Sequence, residues 1–539
     1  MRYELSRGRV SGFLHADGMT IKNGQGEPVL LLGWGLGNWM LCEGYMWGMG
    51  DVPRFDRPRR MERILDELMG QKYTARFWKK FRENYISRKD LEQMAEMGYN
   101  SLRVPINSRL FLSEEPGIHF REEGFRLLDW LVDTCEKVGL YVWIDLHGAP
   151  GGQTGANIDD SEDDLCRLLI DEVQFQRGVA LWTEISRRYR DRWIVAGYDL
   201  LNEPIRPVRF PGDPDLDGYE PRLKEFYEAA IKAIRAQGDQ HLVSLEGKHW
   251  AADLSIFDHV YDDQMVLHFH RYGVAPEMES LQPYLDAARR LNVPLWLGET
   301  GENTPTWMSA MIPLALSNGI HVTLWPWKKM MTDNSPCSYR KPEGWDQLKA
   351  YLLGGARPDN EACTQMLEGL LRNIQAEECA VNTDLLPHIL RRPGCILQGT
   401  DFDEGACHAE SAHEPGCYRK HSGMEILPAP DSDQKQFVFD GPWRGATLRL
   451  REGEWAEYTF WDVTSTCSLE AAVRSEGASR IAVSQGDRVM GEFDLSACDY
   501  DQIISGMHPF TAEKCTLRLR VLSGSVIIRH LSLQLTQVT

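Results

Sequence analysis

The chain reads as an α/β protein, a (β/α)8 TIM barrel followed by a C-terminal β-sandwich. Short apolar runs alternate with amphipathic helical stretches over about the first 330 residues. Several of those runs end in polar side chains. Beyond Arg392 helical patterning stops, and short segments between turns take over.

The strand candidates are Val29–Trp34, Ser101–Ile106, Tyr141–His147, Gly197–Asn202, Leu242–Glu246, Met265–His270, Leu295–Glu299 and Val322–Trp327. Between them the helical period predicts Arg59–Leu68, Lys89–Met97, Phe125–Lys137, Phe175–Arg188, Arg222–Ala236, Leu281–Leu291 and Thr306–Ser317. Within Phe125–Lys137, Leu128, Leu131, Val132 and Cys135 recur at helical spacing and are expected to face the barrel. Eight alternations suit a closed parallel barrel, which gathers ligands from every strand end; an open sheet binds at one switch point. Turns at Asn23-Gly24 and Gln25-Gly26 predict a hairpin plugging the barrel bottom. A last helix, Asn360–Gln375, packs back on the barrel. Segments such as Ala446–Leu450, Ala456–Phe460, Ser468–Val473, Arg480–Val483, Thr516–Leu522 and Ser525–Leu533 then build the sandwich. The expected units are a barrel over 1–378, a linker over 379–392 and a sandwich over 393–539.

Composition narrows the function. The 539 residues carry a net charge of −20, which repels nucleic acid and anionic membranes, so neither is expected as a partner. The 12 Cys are scattered without framework spacing, and the first residues hold no apolar core of a signal peptide; together these lead us to expect a cytoplasmic protein. The 17 Trp offer flat faces of the kind sugar rings stack on, although core filling accounts for most. The sequence fixes no oligomeric state.

In a barrel, polar residues at C-terminal strand ends point into the active site. Here these are Arg103, His147, Asn202, Glu203, Glu246, His270, Tyr272 and Glu299, with Trp327 beside them. Asn202-Glu203-Pro204 ends the fourth strand and Gly298-Glu299-Thr300 the seventh, across the mouth from each other. Glycosidic cleavage needs two such carboxyls, one protonated to help the leaving oxygen and one ionised to attack or to activate water. A single strand-end Glu is usually a salt-bridge partner; the paired placement favours catalysis. His268 and His270 form an His-x-His that suits a metal. That reading belongs on the first strand, however, and strand alternation is expected to turn His268 away from His270. Glu246 fits a substrate contact and a structural role equally.

Taken in order, Leu102-Arg103-Val104-Pro105, Asp145-Leu146-His147-Gly148-Ala149-Pro150-Gly151, Asn202-Glu203-Pro204, His270-Arg271-Tyr272, Gly298-Glu299 and Trp325-Pro326-Trp327 resemble glycoside hydrolase family 5 over roughly residues 10–350. The resemblance implies Glu203 as acid/base and Glu299 as nucleophile. It places Arg103 and Tyr272 on the nucleophile, His270 on the acid/base side, and His147 and Asn202 on the sugar. Trp327 becomes the aromatic floor, with Trp325 its alternative. Asp145 through Gly155 is similar to the exo-β-1,3-glucanase branch, and the bulky loop Asn38–Phe55 suits a pocket. The implied function is a retaining, exo-acting β-glycoside hydrolase for β-glucosides or short β-glucan-type oligosaccharides, with carbohydrate as substrate and no cofactor or metal. A metal-dependent barrel hydrolase and a sugar-binding protein on an inactive barrel are the rival classes. The sandwich resembles family 6-type carbohydrate-binding modules at 399–405, 417–419 and 453–458. It lacks the Ala-Glu before the first motif and the late Trp and Asn, which leaves calcium and sugar binding open. The scattered Cys395, Cys407, Cys417, His408, His413 and His421 contain no Cys-x-x-Cys pair to support zinc.

Overall fold

A computed structural model describes residues 9–408, 418–428, 443–463, 465–509 and 512–535. Eight parallel strands close into a barrel: Leu32–Gly35, Ser101–Asn107, Tyr141–Gly148, Val195–Asp199, Leu242–Glu246, Met265–His270, Leu295–Gly301 and His321–Trp325. We call these strands one to eight. The eighth pairs with the first, Val322 beside Leu32. Each is buried on both faces, as expected for parallel strands wrapped by helices. Strand four ends at Asp199, three residues short of the predicted end, so Asn202 and Glu203 stand on the turn that follows.

The helices form the outer layer. In Glu122–Val138, Leu128, Leu131, Val132 and Cys135 are all buried, as their spacing requires. The sequence reading passed over Trp345–Leu352 and, before it, the longer helix Gln71–Tyr85, which Gly70 (φ 75°) separates from Pro58–Met69. Its Thr74, Phe77, Trp78, Phe81 and Tyr85 form a buried stripe at helical spacing. Next, Arg88–Glu96 opens with a capping box between Ser87 and Asp90. The bottom of the barrel is covered by the hairpin His15–Asp17 and Thr20–Lys22, which turns at Gly18 (φ 58°) rather than at Asn23-Gly24. Ala16 N–H donates to Gln264 Oε1 at 2.9 Å, and Ser11 N–H to the Tyr141 hydroxyl at 2.9 Å. Both acceptors lie at N-terminal strand ends.

Two antiparallel sheets make the C-terminal unit. One runs in the order Glu425–Leu427, Thr447–Arg451, Ser525–Leu535, Thr466–Ser475, Gln502–Pro509, with Ile396–Gln398 also pairing Ser525–Leu535. The other runs Glu404–Ala406, Trp455–Val463, Ala512–Ser523, Ser479–Gln485, Arg488–Leu495. The segment before them is ordered: Ala380–Val381 pairs with Cys337–Ser338, and Leu386–Ile389 is a short helix against Pro305–Ser317.

Pro305–Ser317 explains why the two units belong together. Trp307, Met308, Ala310, Met311, Ile312, Pro313, Ala315 and Leu316 are all buried, leaving the helix no polar face. Arg391 Nε donates to Ser309 O at 2.7 Å and Nη1 to Asp403 at 2.8 Å, while Trp461 N–H donates to Arg391 O at 3.0 Å. Tyr418 and Trp461 join the barrel's own apolar core. A chain ending at Ala380 would expose this apolar helix. We expect such a truncation to aggregate or melt well below the full chain, as read by light scattering and thermal unfolding. A monodisperse barrel with an unchanged Tm would contradict this assignment.

Candidate active site

Glycines shape the interior beneath the mouth. A Cβ on Gly298 would lie 1.7 Å from His268 Nε2, and one on Gly35 would lie 2.3 Å from the Trp325 ring. Their absence admits His268 and Trp325 to the barrel axis. Trp143 and Trp296 stack below them, centroids 4.4 Å apart.

Arg103 of strand two, fully buried, is the centre of the site. Its Nε donates to Asp199 Oδ2 at 2.8 Å and Nη1 to Glu299 Oε1. Nη2 donates to Asn202 Oδ1 at 2.7 Å and lies 3.1 Å from both Glu246 Oε1 and Asp145 Oδ2. Tyr272 O–H donates to the other Glu299 oxygen at 3.0 Å. His270 Nδ1 lies 2.7 Å from Glu203 Oε1 and 3.7 Å from Glu299 Oε2. On the third strand, His147 Nδ1 pairs with Asp145 at 2.8 Å, and its Nε2 lies 3.2 Å from Asn202 Nδ2.

One guanidinium cannot neutralise this many carboxyls, so some keep their protons. Burial pushes Glu246 up to about 8, against the pull of His270 and Arg103. Asp145 is also raised, by burial and the charges of Asp199 and Glu299, despite Arg103. Burial works against Asp199 too, yet His268 and Arg103 bring it below the usual carboxylate range. His147 is lowered to about 4 and His268 to about 3, both chiefly by burial, so each is neutral near pH 7. Burial opposes the charge on His270, but the carboxylates of Glu246 and Glu299 and its bond to Glu203 outweigh it and raise its pKa well above the ordinary value.

The structure therefore brings together Arg103, His147, Asn202, Glu203, His270, Tyr272 and Glu299. It corrects two expectations. Trp327 does not floor the mouth: it is fully buried on the outer side of the barrel, its Nε1–H donating to Asp90 at 2.9 Å and its ring edge-on to Trp34. Trp325 lies in the mouth instead, parallel to the His147 ring at 5.5 Å and donating to the Tyr45 hydroxyl at 2.9 Å. Nor does His268 point away from His270. Residues two apart share a face, and the two Nε2 atoms are 3.1 Å apart. Glu246 takes the structural role: its Oε2 accepts the Glu203 backbone N–H at 2.6 Å, fixing the turn that carries that residue.

The sequence reading missed Glu43. It lies in the aromatic loop already singled out, buried at 3% exposure, and its carboxyl has no hydrogen-bond partner among the described residues. Burial and the charges of Glu299, Glu302 and Glu203 raise its pKa. Its neighbour Tyr45 reaches Glu302 at 3.3 Å, and Glu302 pairs with Lys329 at 2.5 Å.

Among the described residues two groups could hold a metal, Glu246–His268–His270 and Glu203–His270–Glu299. Both include His270, which carries a proton here, and Arg103 already sits 3.1 Å from Glu246. The donor set thus suits proton sharing better than a cation. His413 and Cys417 lie outside the described residues, while His408 and His421 pair separately, with Glu452 O and Glu279. No helix among the described residues is long and apolar enough to cross a membrane, and none of their cysteines is disulfide-bonded.

Residues 68–330 match the family model for cellulase (glycosyl hydrolase family 5). A beta-xylosidase of Phanerodontia chrysosporium is 30% identical over 302 residues, 55% of this chain and 59% of the relative. A glucan 1,3-beta-glucosidase of Kluyveromyces lactis is 31% identical over 213 residues, 37% of this chain and 44% of the relative. The match thus spans about half the length of these relatives. Among solved structures, an endogalactoceramidase aligns with a TM-score of 0.46 and 15% identity, covering 96% of this chain and 99% of that one.

Two expectations follow from the geometry. Because Glu246 holds its proton when folded, its contribution to stability is complete below the ordinary value of 4.5 and is lost as pH rises towards about 8. The slope is at most about 1.4 kcal/mol per pH unit. Thermal unfolding from pH 5 to 9 should show this fall and Glu246→Gln should flatten it; an unchanged slope would mean that Glu246 is ionised throughout. Turnover should also survive exhaustive EDTA dialysis. A proportionate loss restored by zinc would assign His268 and His270 to a metal.

Proposed function

We propose, from the premise that the barrel of this chain is a glycoside hydrolase family 5 domain, that the protein is a retaining β-glycoside hydrolase. The observation that carries the reading is the Glu203–His270–Glu299 constellation. One oxygen of each carboxyl and a His270 nitrogen lie within 4.8 Å of one another. Inverting enzymes need roughly 6.5–9.5 Å between carboxyls to seat a water, and retaining ones about 5–5.5 Å.

In this mechanism Glu299 attacks the anomeric carbon, its oxygens oriented by Arg103 and Tyr272. The C–O bond to the leaving group breaks as Glu203 gives that oxygen its proton. Water then yields a proton to Glu203, attacks the same carbon and releases Glu299. His270, 2.7 Å from Glu203 and 3.7 Å from Glu299, orients the Glu203 carboxyl towards the leaving oxygen. Neutral His147 and the Asn202 amide face the sugar hydroxyls.

The glycone side supports an exo-acting enzyme. The loop through Glu43 and Tyr45 folds against Trp325 and makes a wall where an endo-acting cleft would stay open. Glu43 would accept sugar hydroxyls with its otherwise unpartnered carboxyl. The relatives' names point to β-linked gluco- or xylo-configured sugars, which an aryl β-glycoside panel would sort.

NMR of the first-formed product should show the anomer of the substrate; the opposite anomer would remove the retaining mechanism. Glu299→Gln should lose turnover on every substrate. Glu203→Gln should cost roughly 10²–10⁴-fold on poor leaving groups, and far less in the first step on activated aryl glycosides, which need little protonation. Near-native rates in Glu299→Gln would refute the nucleophile assignment.

A further inference from the structure

The proton donor marks where the leaving group must lie, and that side of Glu203 carries the most unusual backbone in the barrel. Glu203 (φ 42°) and Ile205 (φ 55°) are left-handed, and so are three consecutive residues after strand five, His249 (57°), Trp250 (59°) and Ala251 (56°). Non-glycine residues avoid this region at a cost of roughly 1–2 kcal/mol each, so a run of three persists only where the surroundings enforce it. Here they do. His249 N–H donates to Ile205 O at 2.8 Å, tying the turn to the backbone just beyond Glu203. The His249 ring meets Asp217 at 2.7 Å, and Lys248 meets Glu220 at 3.0 Å.

That turn presents Trp250. The Arg209 guanidinium lies 3.8 Å over its ring, and its Nε1–H is buried without a partner. Arg209 comes from the segment following Glu203, where Val208 is 55% exposed and Phe210 69% exposed. This tip is a built one: Asp213 Oδ2 accepts the N–H groups of both Arg209 and Phe210 at 3.0 Å, and Asp213 Oδ1 takes Arg206 at 3.2 Å. The two apolar side chains are therefore held out at the tip of the segment that follows Glu203 rather than folded under.

We propose that Trp250 and Arg209, rimmed by Val208 and Phe210, form the leaving-group subsite, and that it takes a planar apolar aglycone, an aryl or fused-ring group, rather than a second sugar. A sugar needs donors and acceptors around its edge as well as a face to stack on. The carboxyl acceptors of these two segments are already committed: Asp213 to the loop amides and Arg206, Asp217 to His249 and Lys248. What remains is aromatic and aliphatic surface whose free polar groups, the stacked Arg209 guanidinium and the Trp250 Nε1–H, are donors only. The inference rests on the glycosidase reading above.

The test compares three substrates of whichever sugar the aryl-glycoside panel selects: the 2-naphthyl β-glycoside, the β-linked disaccharide and the β-glycosyl fluoride, which has almost no leaving group to bind. The variants are Trp250→Ala and the exposed pair Val208→Ser with Phe210→Ser, the latter placed where folding is not at stake. We expect the ratio of kcat/KM for naphthyl glycoside to that for glycosyl fluoride to fall roughly 10–100-fold in each. The disaccharide-to-fluoride ratio should change by less than about threefold. Equal losses on naphthyl glycoside and disaccharide would make this a sugar subsite and overturn the proposal, as would unchanged ratios throughout. A full-length chain inert towards every glycosyl fluoride would instead overturn the glycosidase reading, and the subsite with it.

Discussion

A single buried guanidinium organises the mouth of the barrel. Arg103 stands on strand two and engages Asp145 of strand three, Asp199 of strand four, Glu246 of strand five and Glu299 of strand seven. It thus ties five strands together at their C-terminal ends. Removing it would leave these carboxyls buried with too little compensating charge, a situation that typically costs 3–5 kcal/mol for one broken pair. Because one cation serves several acids, their proton affinities diverge: burial raises Glu246 and Asp145, His268 and Arg103 lower Asp199 against burial, the surrounding acids raise His270 against burial, and burial lowers His147 and His268. Within this network the two glutamates have different neighbours: Arg103 and Tyr272 bond Glu299, while His270 bonds Glu203.

Much of this was legible because barrel geometry turns strand ends into positions. The motifs at Arg103, His147, Asn202-Glu203 and Glu299 are local, and each falls where a strand pattern stops, so their convergence followed from counting strands. What was not legible depends on features that no local pattern records. Trp325 and Trp327 have the same parity, and only the exit of the chain at Pro326 separates them: Trp327 still donates its N–H to Gly35 O but swings its ring out to Asp90. His268 needed the space left by Gly298 on the next strand, a contact between residues 30 positions apart in sequence. Glu43 lies on a long loop with no period at all, and its meaning comes from the carboxyls it faces. The helix Gln71–Tyr85 was readable from its apolar stripe but was masked by following so directly on another helix.

Strained backbone gathers where the chemistry does. Glu203, Ile205 and the turn at His249–Ala251 are left-handed, and each is held by bonds to neighbouring loops: Thr154 Oγ1 to Glu203 O at 2.6 Å, Ile205 N–H to Gln153 O at 3.1 Å, and His249 N–H to Ile205 O. The Gln153–Gly155 segment is anchored in turn by Asp159, whose Oδ2 accepts three successive amides at 2.9–3.1 Å. In the proposed mechanism the acid/base must meet a leaving oxygen within a few tenths of an ångström, and a chain over-determined in this way would offer that precision without relying on the residue's own flexible side chain.

The sandwich enters the same network from outside. Tyr418 O–H donates to Pro276 O at 2.7 Å, and Arg419 N–H donates to Glu277 Oε2 at 2.8 Å. Both acceptors belong to the loop after strand six, which leaves the barrel at His270 and carries Tyr272 to the Glu299 carboxylate. From the barrel side Trp307 Nε1–H holds the same loop at Val274 O, and Trp307 stands on the apolar helix that the sandwich covers. The Tyr418 motif that resembles a sugar-binding module is thus spent on the barrel. Two of the three side chains that lie against Glu299, Tyr272 and His270, sit at the root of a loop braced from both sides, so the domain boundary and the geometry of the mouth are parts of one packing problem.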